Sequence, residues 1–233
     1  MSVNAIYTHD ASPELKYQQL TPGASYSPWY SDEEFMRCYL AIHQNTLVDL
    51  YRCYGLWSLA RQLSNIDGCF LEVGVWRGGT GALLSFASLL SSPERKVYLA
   101  DTFQGVVKAG AQDPNYIDGE HSDTSQATVE ALLESMGLNN TTLLPGTFPD
   151  DTAHQIEEKV ALLHCDVDVY QSAKEIIDWA LPRLSVGGAI IFDDYGFYGC
   201  GGVTRYVNEL RERKDLLFIY NLSGHAVFIK LPY

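Results

Sequence analysis

Basic residues are scarce in this chain. Across 233 residues, 16 Lys and Arg stand against 29 Asp and Glu, a formal net charge of −13. That balance excludes generic binding to nucleic acid or to an anionic membrane, because phosphate is repelled. It leaves small neutral or cationic ligands and divalent metal. Long apolar runs are also missing: the longest, residues 82–90 (ALLSFASLL), falls far short of the roughly 20 residues of a membrane-spanning helix. The first residues, MSVNAIYTHD, have neither the basic start nor the apolar centre of a secretory signal. No C-x-x-C pair occurs among Cys38, Cys53, Cys69, Cys165 and Cys200, and an odd, scattered set reads as reduced thiols of a cytoplasmic protein. Internal repeats, low-complexity tracts and the G-x-G-x-x-G dinucleotide fingerprint are absent.

What is present suits one ordinary domain with a short extension. Hydrophobic residues make up 46% and charged residues 19%, enough apolar material for a sizeable core. Residues 1–30, rich in Pro, Ser, Tyr and Gln, read as an arm. From Ser31 or Asp32, either of which can cap, apolar residues recur at helical spacing (Phe35, Tyr39, Ile42, then Leu47, Leu50, Tyr54 and Trp57). Beyond Gly68 the pattern changes. Short β-like runs at 69–73, 97–101, 141–144, 160–164 and 188–192 alternate with helical stretches. Two last β runs, 216–221 and 226–230, read as a hairpin. Alternation of this kind predicts an α/β fold, a mostly parallel sheet with helices on both faces and a ligand beyond the carboxyl ends of the strands. Residues 103–122 lack periodicity, and a loop of that length is commonly functional.

The strand ends carry the chemistry. The first run closes in Glu72-Val-Gly74-Val-Trp-Arg77-Gly78-Gly79-Thr80, where glycines allow close backbone approach to a ligand or, equally, tight helix packing. Asp101, 27 residues beyond Gly74, stands where an acid accepts hydrogen bonds from ribose hydroxyls; a helix cap is the plainer alternative. Glu72, Gly74 and Asp101 together describe a site for a nucleoside-bearing cofactor. Asp166 and Asp168 follow the fourth run, Asp193 and Asp194 the fifth. Four carboxylates at one sheet end repel unless a cation lies among them, and a divalent ion with oxygen ligands is the simplest answer. Each Asp could instead cap the next turn. Among the histidines, His164 and His225 read as core residues, and His121 as the one placed to touch substrate.

These same segments (LEVGVWRGGTGALL, LADTFQGV, GTFPDDT, LHCDVDVYQSA and LSVGGAIIFDDYGFYGCGGV) resemble the macrocin O-methyltransferase family from about Phe35 to the C-terminus, in the family's order. The resemblance implies a class I methyltransferase fold: a Rossmann-like three-layer sandwich whose seven-stranded sheet has its seventh strand antiparallel between the fifth and sixth. It implies metal-dependent transfer of a methyl group from S-adenosylmethionine to a hydroxyl of a sugar or phenol on a natural product. Glu72, Gly74, Arg77, Gly78, Gly79 and Thr80 would surround the methionine part of the cofactor. Asp101, Thr102 and Phe103 would flank its adenosine. Asp166, Asp193 and Asp194 match the positions that ligate Mg²⁺ or another divalent cation, and Asp168 matches the general base. Arg205 matches a recurrent basic position without an assigned role. The 103–122 loop and the N-terminal arm depart from the family pattern, which leaves the acceptor open.

The expected organisation is an N-terminal arm with lid helices over residues 1–64 and a methyltransferase domain over 65–233, acting on a small molecule, with a homodimer as a possibility suggested by the aromatic N-terminal helices. Two rival readings are a nicotinamide-dependent dehydrogenase, disfavoured by the G-x-x-x-G-G spacing and the four aspartates, and a non-catalytic methyltransferase-like binding module, disfavoured by the intact acidic cluster.

Overall fold

The computed structural model describes residues 23–232; the first 22 residues of the expected arm lie outside the described residues. Two helices open the chain, α1 (Glu33–Ile42) and α2 (Leu50–Gln62). Each begins on an aspartate: the Asp32 side chain accepts from Phe35 N, and that of Asp49 from Tyr51 N and Arg52 N. Strand and helix then alternate through β1 (Cys69–Val73), α3 (Gly79–Ser91), β2 (Val97–Asp101), α4 (Gln126–Ser135), β3 (Thr141–Pro145), β4 (Val160–Cys165), α5 (Tyr170–Ala180), β5 (Leu184–Phe192) and α6 (Gly201–Leu210). β6 (Leu216–Tyr220) and β7 (Ala226–Lys230) close the sheet.

The strand order is β3-β2-β1-β4-β5-β7-β6. The first five strands run parallel, and β7 pairs antiparallel with both β5 and β6. β1 and β4 are buried throughout, as continuous apolar runs covered on two faces must be. Alternate residues serve opposite layers. Phe70, Leu99, Leu162 and Ile191 pack with Phe35, Leu56 and Leu83 from α1, α2 and α3. Leu71, Leu163, Ile190 and Phe192 pack with Ile176 and Val203 from α5 and α6. The result is the expected three-layer sandwich, and α1 and α2 share a core with the sheet.

Three boundaries differ from the sequence reading. β5 starts at Leu184 and not at Gly188, because the ladder to β4 slips between Val160 and Leu162 and the strand runs on through Gly187 at φ +81°. α5 starts at Tyr170 and not at Ala173, where the sequence pattern puts it, because Asp113 from the long loop accepts its Tyr170 N–H at 3.0 Å. α6 starts at Gly201 and not at Val203, where the sequence pattern puts it, and the bare Gly202 in its first turn leaves room for Asp113 of the long loop. None of the described helices is long and apolar enough to cross a membrane.

Candidate functional site

A cavity of about 350 Å³ opens beyond the carboxyl ends of β1, β2, β4 and β5, the position expected for a ligand in a sheet of this topology. Its floor is set by close backbone approach. At Gly74 (φ +88°) a Cβ would lie 1.6 Å from the Asp166 carbonyl oxygen, so only glycine lets β1 pass β4 there. Asp101 fixes the turn that follows: its Oδ2 accepts from Val75 N at 2.7 Å and Trp76 N at 2.8 Å, and its Oδ1 from Phe103 N at 2.7 Å. Oδ2 is thereby filled, while Oδ1 retains a further lone pair for a ligand hydroxyl.

Gly74, Thr80, Asp101 and Thr102 line this cavity. Glu72, Arg77, Gly78, Gly79 and Phe103, expected beside the cofactor, stand outside its wall, for identifiable reasons. Gly79 is bare to admit the α1–α2 connection: its N–H donates to Asn45 O at 2.9 Å, and a Cβ would meet that carbonyl at 2.7 Å. Gly78 (φ +87°) admits Val129 of α4. Arg77 turns to the surface, paired with Asp123 at 2.5 Å and stacked on Trp76 at 4.4 Å. Phe103 packs against the core on the α3 side. Glu72 is completely buried, its Oε1 2.8 Å from Nδ1 of His164. Cavity residues not singled out in the sequence are Asn45, Thr46, Leu47 and Val48, which the α1–α2 connection brings to the rim, and Trp76.

The four aspartates converge on this cavity. Asp166, Asp193 and Asp194 each present an oxygen within 4.8 Å of the others. Burial, then repulsion from Asp193 and Asp194, pushes the Asp166 carboxyl well above its usual range; burial, then Asp168 and Asp193, does the same to Asp194. Asp193 behaves oppositely. Burial opposes its charge, but His164, His225 and Arg52 outweigh it and hold the carboxyl below the usual range. His225 Nε2 stands 2.8 Å from Asp193 Oδ1, while His164 Nε2 is 3.6 Å from that oxygen, an electrostatic contact and not a hydrogen bond. Burial works against a charged His164, yet Asp193 and Glu72 on either side raise its pKa to about 10. Both histidines are thus core residues, as read from the sequence, but they form the bed beneath Asp193.

Asp168 sits at φ +64°, an uncommon conformation that Asp tolerates and that tight functional loops exploit. Its N–H donates to Asp194 Oδ2 at 3.1 Å, and its Oδ1 accepts from the Tyr116 hydroxyl at 2.6 Å. Burial raises the Asp168 pKa, and the Tyr116 hydrogen bond partly offsets that. Cys200 completes this wall, its Sγ 3.7 Å from Asp194 Oδ1. Tyr116 and His121 both reach the cavity from the 103–122 loop. The loop is pinned by Asp113 at α5, by Ser172 Oγ donating to Val107 O at 2.9 Å, and by Arg205 Nη1 donating to Gln112 Oε1 at 2.7 Å. Arg205, without a role in the sequence, anchors the loop from α6. Arg52 was missed altogether: it enters from α2, 7% exposed, and pairs with Asp193.

The fold is that of a class I methyltransferase. The O-methyltransferase NovP superposes with a TM-score of 0.68 at 25% identity, covering 81% of this chain and 83% of its own. The calicheamicin methyltransferase CalS11 shares the fold at a TM-score of 0.67 and 17% identity, covering 91% and 98%. The sequence matches the profile of Macrocin-O-methyltransferase (TylF) over residues 34–229, and the chain belongs to that family. One relative, 32% identical over 70% of this chain, is the 8-demethyl-8-(2,3-dimethoxy-alpha-L-rhamnosyl)-tetracenomycin-C 4′-O-methyltransferase of Streptomyces olivaceus. Another, 34% identical over 65%, is the mycinamicin III 3″-O-methyltransferase of Micromonospora griseorubida. The matches span 66% and 63% of those relatives' own lengths.

Proposed function

We propose that this protein is an O-methyltransferase that moves a methyl group from S-adenosylmethionine to a hydroxyl of a small natural-product sugar or phenol, with a divalent cation. One observation carries the reading: the glycine turn with Asp101 and the four aspartates open into the same cavity. The family and the named activities of its relatives support it. Gly74, Thr80, Asp101 and Thr102 are the cofactor contacts we retain. The donor set Asp166, Asp193 and Asp194 is all oxygen, its ligand atoms lie within 4.8 Å of one another, and it fits Mg²⁺.

When bound, S-adenosylmethionine supplies an electrophilic methyl carbon, and the cation lowers the pKa of an acceptor hydroxyl. The chain's own residues do the rest. Asp168 accepts the hydroxyl proton at Oδ2, since Oδ1 is held by Tyr116. The acceptor oxygen gains the methyl carbon as the sulfur–carbon bond breaks, leaving a neutral thioether. Tyr116 and His121 fix the acceptor's approach from the loop side, and the α1–α2 connection covers the cofactor side. In this reading α1, α2 and their connection act as a lid on the domain that follows. A cytoplasmic setting and a homodimer covering the exposed Leu40, Leu47 and Tyr51 belong to the same reading.

Calorimetric titration with S-adenosylhomocysteine and with NAD⁺ tests the cofactor: binding of the first alone is expected, and binding of NAD⁺ alone would reinstate the dehydrogenase. Methyl transfer to a panel of glycosides and catechols, with and without chelator, separates a catalyst from a binding module.

A further inference from the structure

A protein cation already reaches into the acidic cluster. Arg52 of α2 extends over the end of β5, where its Nη1 pairs with Asp193 Oδ2 and lies 3.4 Å from the Asp193 carbonyl oxygen. Its Nε donates to Asp49 Oδ2 at 2.8 Å, and its guanidinium lies over the Phe197 ring at 4.7 Å. The other oxygen of Asp193 is taken by His225. Asp166 and Asp194, by contrast, have no basic side chain hydrogen-bonded to them among the described residues. Of the three oxygens grouped for a cation, the one from Asp193 thus comes from a carboxylate with both oxygens engaged. A guanidinium cannot shed its charge at any ordinary pH, so a divalent ion entering the cluster meets a fixed positive charge within a few ångströms. Between groups as buried as Arg52, Asp193 and Asp194 that repulsion is only weakly screened.

We propose that Arg52 is a positioning residue that shares Asp193 with the divalent cation and thereby sets the cation affinity of the site. The inference rests on the cation reading above. With no cation, Arg52 holds the Asp193 carboxylate and ties the start of α2 to the end of β5. With a cation bound, Asp193 Oδ2 turns to the ion, while Arg52 keeps Asp49 and Phe197. α2 follows directly on the Asn45–Val48 stretch that rims the cofactor side, so cation occupancy and the seating of that rim are linked, and by thermodynamic necessity each affects the other equally. Nothing in the local sequence marks this contact, which joins residues 141 apart.

The test measures Mn²⁺ binding directly, by the loss of the free-ion electron paramagnetic resonance signal, with neither cofactor nor acceptor present. Wild type, Arg52→Met, Arg52→Gln, Arg52→Lys and Asp194→Asn are compared, with circular dichroism to check folding. Arg52→Met and Arg52→Gln should each bind Mn²⁺ at least about tenfold tighter than wild type, because the competing charge is gone. Arg52→Lys, which keeps the charge, should stay within about threefold of wild type. The Gln variant retains a donor for Asp193 and decides the matter if the Met variant does not fold. Unchanged or weaker binding in the uncharged variants, with wild type binding and Asp194→Asn not, overturns the role of Arg52 and leaves the cation reading standing. Failure of every chain to bind Mn²⁺ through Asp194 overturns the cation reading, and the inference with it.

Discussion

The Tyr116 hydroxyl donates a 2.6 Å hydrogen bond to Asp168 Oδ1, joining the middle of a 20-residue loop to the carboxylate proposed as base. The bond favours the charged form of Asp168 and leaves Oδ2 as the proton acceptor. Tyr116→Phe should therefore raise the Asp168 pKa. A base must be unprotonated to act, so the acidic limb of the kcat profile should move to higher pH, and kcat at neutral pH should fall about tenfold. A limb that stays in place shows that Tyr116 does not touch the working base.

Asp168→Asn keeps the size and polarity of the side chain but removes its basicity. Turnover should fall at least about 100-fold, while calorimetric affinity for S-adenosylhomocysteine stays within about twofold, since Asp168 lies on the acceptor side. Wild-type turnover in this variant would remove Asp168 from the mechanism.

The loop depends on one buried acid. Asp113 is 2% exposed, and its Oδ1 would lie 1.8 Å from a Cβ at Gly202. Gly202→Ala should push Asp113 off the start of α5 and release the loop, costing about 1–2 kcal/mol of stability for the lost cap and raising KM for the acceptor far more than for the cofactor. Equal KM values for both substrates, before and after, would show that the loop does not shape the acceptor site.

Burial raises the Asp113 pKa above 3.8. The folded chain then holds that proton more tightly than the unfolded one. The associated stability is full below 3.8 and is lost as pH rises through the folded-state value. Asp113→Asn keeps an acceptor for the Tyr170 N–H without titrating. Its melting temperature relative to wild type should rise between about pH 4 and pH 7. A difference that is flat across that range contradicts the assignment.

Much of this was legible in the sequence, and the exceptions share a cause. The strands β1, β2 and β7 fall at their expected residues because continuous apolar runs bounded by glycine or acid are local signals. The four aspartates could be placed together because their position just after consecutive strands is itself a spatial coordinate. Arg52, Asp113 and the Glu72–His164 pair could not, because each acts on a partner dozens of residues away and resembles an ordinary helix, loop or strand residue locally. The glycines Gly78 and Gly79 were legible as close approaches but not as to what approaches: Val129 faces Gly78 and the Asn45 carbonyl faces Gly79.

The most direct test of the account is a crystal of the protein grown with S-adenosylhomocysteine and Mn²⁺, with diffraction recorded for the anomalous signal of manganese. The account places one anomalous peak among Asp166, Asp193 and Asp194, with the thioether sulfur in the same cavity, on the side of Gly74 and Asp101. A peak elsewhere, or S-adenosylhomocysteine bound outside that cavity, would contradict it.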